Sequence, residues 1–173
     1  MSDILKKLRG GDLRSIGRAE EVMQDILDTP SLFSEVFEGM LDEDPRVRMR
    51  SADAMEKVAS RYPEYLQPFK DRMINEVSQI KQQEVRWHVA QMFSYLKVNQ
   101  VERDQIINIL LSYIDTDSSR IVKVFAMQTL ADLAREDASI RNMVVEKVEE
   151  IAEAGSPAMV SRARKLLRTL NKH

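Results

Sequence analysis

The side chains that most often carry chemistry are scarce in this sequence. It contains two His and no Cys, so a zinc site would depend mainly on carboxylates and a cysteine nucleophile is excluded. Glu84 and His88 lie four residues apart and would share a helix face, as ordinary surface pairs do. The sequence has no glycine-rich phosphate loop, nucleophile elbow or metalloprotease helix motif. We therefore expect no catalytic residues, no metal and no cofactor.

Basic side chains are concentrated in four segments, 45–61, 83–97, 118–136 and 156–173. Together these segments contain 15 Lys or Arg and 5 Asp or Glu, a sum of +10, although the net charge of the chain is −2. A basic surface of this kind suits an acidic protein partner or a phosphate backbone. Alternatively, the charges are solvated, or they complement helix dipoles near helix C-termini.

A twelve-residue pattern with helical spacing recurs in the same four segments. Its copies begin at Val47, Val85, Val122 and Met159, so the spacings are 38, 37 and 37 residues. Offsets are counted from the first residue of each copy, which is offset 0. The apolar or small residues at offsets 0, 4, 8 and 11 fall on one helix face. The period indicates helical units that stack on copies of themselves, because one unit cannot bury its apolar face alone. Small residues at offset 4, such as Ser51, predict close approach of neighbouring helices.

An amphipathic stretch precedes each copy and predicts a first helix that pairs with it. These stretches are 31–41, 64–80, 101–114 and 140–152. Pro30, Pro63, Asp104 and Ser139 suit the N-terminal turns of these stretches. A cap followed by a proline, at Asp44-Pro45 and at Ser156-Pro157, predicts the starts of two second helices.

The repeats organise the whole chain into one predicted domain, residues 1–173. An earlier helix at about 15–27 predicts a degenerate terminal repeat, as capping units commonly are. We expect nine or ten helices in antiparallel pairs. The predicted repeat boundaries are about 4–28, 30–61, 63–97, 100–136 and 138–171.

The repeated residues resemble those of the HEAT-repeat family. The resemblance rests on Asp44-Pro45 with Val47-Arg48 and Ala52, on Val85-Arg86 with Ala90 and Leu96, and on Val122-Lys123 with Ala126 and Leu130. It covers about residues 30–170, although the last copy departs, with Met159-Val160 in place of Val-Arg. The predicted fold is all-α, an α-solenoid of about five antiparallel helix pairs. The resemblance implies a right-handed, HEAT-like or armadillo-type superhelix whose second helices line a concave surface used chiefly for protein binding.

In the family's geometry, positions at offsets 2, 3, 6 and 10 of each second helix approach that surface. The middle two copies would place the only Trp of the chain there, beside a His, two further aromatic rings and two Gln. Aromatic and hydrogen-bonding side chains together are typical of interaction hot spots, although Trp87 and Phe125 could instead fill gaps between repeats. The candidate binding residues are Arg50, Trp87, His88, Gln91, Tyr95, Arg120, Phe125, Gln128, Arg162 and Lys165.

Three basic residues, Arg48, Arg86 and Lys123, follow the first position of their copies. We expect structural partners for them rather than a ligand. The expected partners are helix-terminal carbonyls and the acids Asp44, Glu84, Asp115 or Asp117.

The patterns predict a non-enzymatic scaffold that binds a protein or peptide. This partner would be acidic where it meets the basic helices. The alternative is a nucleic-acid-binding protein related to the HEAT-like DNA alkylation-repair glycosylases. The pI of about 5.8 argues against this alternative. No apolar run reaches the roughly 18 residues of a membrane span, and the N-terminus lacks a secretory signal. We expect a cytoplasmic protein without membrane contact. A monomer is favoured, with the oligomeric state left open.

Overall fold

The computed structural model describes residues 2–172. Across that range the regular structure consists of ten α-helices and three short 3₁₀ segments, with no β-strand. The all-α prediction is therefore confirmed, and the helix count agrees with the nine or ten expected. The chain divides into two compact units, Met1–Lys97 and Val98–His173.

The first unit is organised around one central helix, α4. Both α2 and α3 pack on α4, and α4 in turn packs on α6. Packing between successive helices in this way is typical of helical repeats, in which each unit contacts its neighbours. The helices are α1 (Asp3–Lys6), α2 (Ala19–Asp28), α3 (Leu32–Gly39), α4 (Pro45–Ala59), α5 (Lys70–Asn75) and α6 (Gln83–Phe93).

The second unit contains four longer helices. These are α7 (Gln100–Thr116), α8 (Arg120–Glu136), α9 (Ala138–Ala154) and α10 (Pro157–Leu170). The central helix, α8, packs on all three others, and α9 also packs on α10. In its predicted apolar stripe, Val122, Ala126 and Leu130 are fully buried and Leu133 is half-buried, so the stripe supplies the core of this unit.

Helix starts follow the predicted caps in part. Asp44 caps α4 by accepting a hydrogen bond from the backbone N–H of Arg46 at 2.9 Å, with a proline in the first turn. Ser156 precedes the proline of α10 but makes no side-chain capping bond. The predicted first helix at 101–114 begins one residue earlier, as α7 at Gln100, and its cap is Asn99 in a complete capping box with Glu102.

The predicted first helix at 64–80 is broken. It is replaced by 3₁₀ segments at Pro63–Tyr65, Gln67–Phe69 and Val77–Gln79, with the short α5 between the last two. Pro68 supplies the physical reason: it lacks an N–H donor, and its ring would clash with the carbonyl four residues earlier in an α-helix.

Within residues 2–172, no helix combines the length and apolar character that a membrane crossing requires.

Candidate functional site

Three predicted binding residues, Trp87, Gln91 and Tyr95, lie four residues apart along α6 and its C-terminal turn. This spacing places them along one helix face, and all three are half-buried. The indole N–H of Trp87 and the side-chain amide of Gln91 form no hydrogen bond with any residue that the structure describes. A Trp N–H usually finds a hydrogen-bond partner in the protein when it is buried, whereas Trp87 is only half-buried. The two groups are therefore available to an incoming molecule.

Tyr95 is held by the preceding repeat. Its hydroxyl donates to Oε1 of Glu56 at 2.6 Å, which connects the end of α6 to α4. The bond fixes the orientation of the ring at one end of the Trp87–Gln91 face.

The structure places His88 behind this face rather than on it. His88 is only 9% exposed, and its ring centroid lies 5.5 Å from that of Trp87. Its Nδ1 has no hydrogen-bond partner among residues 2–172, and its Nε2 lies 4.0 Å from Oδ1 of Asp53. Burial lowers the pKa of His88 to about 4, so the imidazole is neutral at neutral pH. We therefore correct its expected role from partner contact to support for Trp87.

Arg50 also departs from its predicted position, because it is only 2% exposed. A buried guanidinium requires hydrogen-bond acceptors. Four backbone carbonyls supply them at 2.7–3.0 Å, those of Leu8, Gly10, Asp12 and Ser15. Arg50 thus organises the loop between α1 and α2, and a partner at the surface cannot reach its charge.

In the second unit, Gln128 and Arg162 are brought together by the packing of α10 on α8. Arg162 Nη1 donates to Gln128 Oε1 at 3.0 Å, and Gln128 Nε2 donates to Oδ1 of Asp132 at 3.0 Å. Burial raises the pKa of the Asp132 carboxyl, against the lowering effects of Gln128 and Arg135. These side chains link two helices, which gives Gln128 and Arg162 a structural role.

The other three candidates in this unit keep exposed surface. Phe125 is half-buried, whereas Lys165 and Arg120 are exposed. Neither cation forms a hydrogen bond or ion pair with any residue of the described range. Both charges are therefore free to meet an anion from outside.

Of the three basic residues expected to have structural partners, Arg48 and Arg86 bind backbone carbonyls. Arg48 Nη1 donates to the carbonyls of Asp42 and Glu43 at 2.8 and 2.9 Å, and Arg86 Nε donates to that of Ile80 at 2.9 Å. These bonds satisfy carbonyls in the turn before each second helix, as predicted.

For Lys123 the expectation is wrong. Its ammonium has no hydrogen bond or ion pair with the residues described, because Asp115 pairs with Lys147 instead. Lys123 is thus a candidate ligand-binding residue that sequence reasoning missed. The available signal was a first helical turn with two cations, Arg120 and Lys123, and no acid.

The family described as HEAT repeat domain matches residues 11–170, which is most of the chain. No curated protein matches the sequence. No solved structure matches it either.

Proposed function

Because the chain belongs to the HEAT repeat domain family, we propose that it is a non-enzymatic scaffold that binds a protein or peptide partner. Binding uses exposed side chains of the second helices, which the predicted superhelix places on its concave surface. The partner is acidic where it meets the basic residues.

The observation that carries this proposal is the pair of side-chain donors on α6, those of Trp87 and Gln91, that have no partner among residues 2–172. Trp87 and Gln91 expose an indole N–H, an amide and a large apolar ring on one face, supported from behind by His88 and flanked by Tyr95. Rigid aromatic rings next to hydrogen-bonding groups are the usual composition of binding hot spots. In the second unit, the half-buried Phe125 and the exposed Lys165 are the corresponding candidates.

Capture of a partner from the native cell tests the proposal. The wild-type protein and the variants Trp87→Ala, Gln91→Ala and Tyr62→Ala are immobilised, and the captured proteins are identified. Tyr62 is a matched control, since it is an aromatic residue that is 42% exposed but lies outside α6. We expect one protein to be captured by the wild type and by Tyr62→Ala, and lost or weakened by at least about tenfold with the α6 variants.

The purified partner allows a direct check, because Trp87 is the only Trp of the chain. Burial of its indole on binding shifts the emission to shorter wavelength. Equal affinity of the wild type, Trp87→Ala and Gln91→Ala would contradict the assigned surface.

Nucleic-acid binding is the second candidate, and one observation favours it. The exposed face of α10 carries Arg164, Lys165 and Arg168, none of which has a partner among residues 2–172. Binding to phosphates weakens steeply as salt concentration rises, because counterions are released. A titration with duplex DNA at several salt concentrations decides between the two functions. Lack of binding at low salt excludes this candidate.

A further inference from the structure

A cleft in the second unit lies apart from the aromatic face of α6 in sequence and in chemistry. Its volume is about 410 Å³, within the range of small-molecule sites. Buried Ile114, Ile151 and Met159 provide apolar lining, and polar side chains complete the wall. A cleft with both kinds of lining suits a ligand that has an apolar body and a polar head.

The charges that line the cleft leave an excess of positive charge. Its two acids, Asp115 and Glu150, both pair with Lys147, at 2.7 and 3.2 Å. The hydrogen bond that the Lys147 ammonium donates to Asp115 is the main cause of the raised pKa of Lys147. Arg120 and Lys123 remain without a counter-ion from the described chain. The cleft therefore has two cations free for an anionic ligand.

The backbone around the cleft adds to this positive potential. The N-terminal ends of α8 and α10 both contribute to its lining, and neither first turn contains an acid. The residues that precede these helices, Ser119 and Ser156, make no side-chain capping bond. The Ser156 hydroxyl oxygen is buried and lacks a hydrogen-bond partner within residues 2–172. Cations at the positive end of a helix dipole are unfavourable until an anion binds there.

We propose that this cleft binds a phosphate monoester carried on an apolar body. Arg120 and Lys123 bind the phosphate oxygens, and the N-terminal ends of the two helices add favourable potential. The apolar body contacts Ile114, Ile151 and Met159. This site does not depend on the partner-binding function proposed for α6.

Calorimetric titration with phenyl phosphate at low salt tests the site. Inorganic phosphate tests the anion alone, and benzyl alcohol tests the apolar body alone. We expect phenyl phosphate to bind more tightly than either. Amide NMR shifts should concentrate at Ser118, Gly155 and their neighbours, which line the cleft.

Two sets of variants separate a built site from general charge attraction. The double variant Arg120→Gln, Lys123→Gln should weaken phenyl phosphate binding by at least about tenfold, because each cation supplies charge-assisted hydrogen bonds. The control Arg168→Gln, Lys172→Gln removes the same charge from exposed positions of the same unit and should bind as the wild type does. Ser118→Asp, at an exposed position, supplies an internal anion and should also abolish binding.

Three results would overturn the proposal. The first is no binding of phenyl phosphate by the wild type. The second is equal weakening by the control variant. The third is equal affinity for phenyl phosphate and inorganic phosphate, which would leave the apolar lining without a role.

Discussion

Gly39 at the end of α3 lies directly against Ser51 in the middle of α4. A Cβ atom on Gly39 would come within 2.1 Å of Ser51 Oγ and 2.7 Å of Leu5 Cδ2. Ser51 is fully buried. The close approach predicted from the small residue at this repeat position is therefore present, and it requires glycine on the facing helix.

Replacement of Gly39 should accordingly destabilise the first unit. We expect Gly39→Ala to reduce the free energy of unfolding by about 3 kcal/mol, because the added methyl group overpacks the contact. Urea denaturation measures the change. Ser51→Gly in the same chain should recover part of the loss, as expected for residues in direct contact. Strictly additive effects of the two substitutions would contradict the contact.

Gly17 and Gly10 provide a second test, centred on Arg50. Both have positive φ, +55° and +79°, but a Cβ on Gly17 would lie 2.9 Å from the Arg50 guanidinium carbon, whereas one on Gly10 would meet nothing within 4 Å. Gly10→Ala should cost about 1 kcal/mol of unfolding free energy from backbone strain alone. Gly17→Ala should cost about 2–3 kcal/mol, because it also displaces the buried guanidinium.

Thermal or urea denaturation of these two variants measures the difference between their free energies of unfolding. If Gly10→Ala proved as harmful as Gly17→Ala, the loop would not depend on its packing around Arg50.

The buried His88 predicts a pH dependence of stability. Its pKa falls from the ordinary 6.5 to about 4 in the folded protein, so between these values the unfolded state binds more protons. The contribution of His88 to stability is therefore full above pH 6.5 and is lost as the pH falls toward 4. The total loss is roughly 3 kcal/mol.

Urea denaturation between pH 5 and 7 measures this slope. His88→Leu, which removes the titrating group, should flatten it. The nearest charged groups, Asp53 and Lys57, act in opposite directions on the pKa of His88, so burial is the main cause. An unchanged slope in His88→Leu would assign the pH dependence to another group.

The capping box of α7 predicts a smaller, local effect. Asn99 Oδ1 accepts from the N–H of Glu102 at 2.9 Å, and Glu102 Oε2 accepts from the N–H of Asn99 at 2.8 Å. Asn99→Ala should reduce the free energy of unfolding by about 1 kcal/mol. Asn99→Asp keeps an acceptor at the same position and should retain most of the stability. Equal losses in both variants would show that the cap contributes little.

The misplaced helix boundaries have local causes that the repeat pattern concealed. The repeat period predicts one helix at 64–80, but Pro68 within that range interrupts an α-helix. Asn99 followed by Glu102 is likewise a capping-box pattern, which places the start of α7 at Gln100, one residue before the predicted 101.

The site residues show a different kind of error. Arg50, Arg162 and Lys165 all occupy the repeat positions assigned to the concave surface. Yet Arg50 binds carbonyls 35 to 42 residues away in sequence, Arg162 binds Gln128 34 residues away, and Lys165 stays free. No spacing rule distinguishes these three outcomes, because each depends on which acceptors tertiary packing brings within reach of a long, flexible side chain.

The sequence by itself determined the helical repeats, the core stripe of each second helix and the cap at Asp44-Pro45. Periodicity and capping depend on contacts within a few helical turns, so short patterns are sufficient to predict them. Only the tertiary structure decided that Arg50 and His88 are buried, that the side-chain donors of Trp87 and Gln91 find no partner among residues 2–172, and that Arg120 and Lys123 line a cleft. Burial and charge pairing depend on residues distant in the chain, and the choice among competing partners is made only when the helices pack.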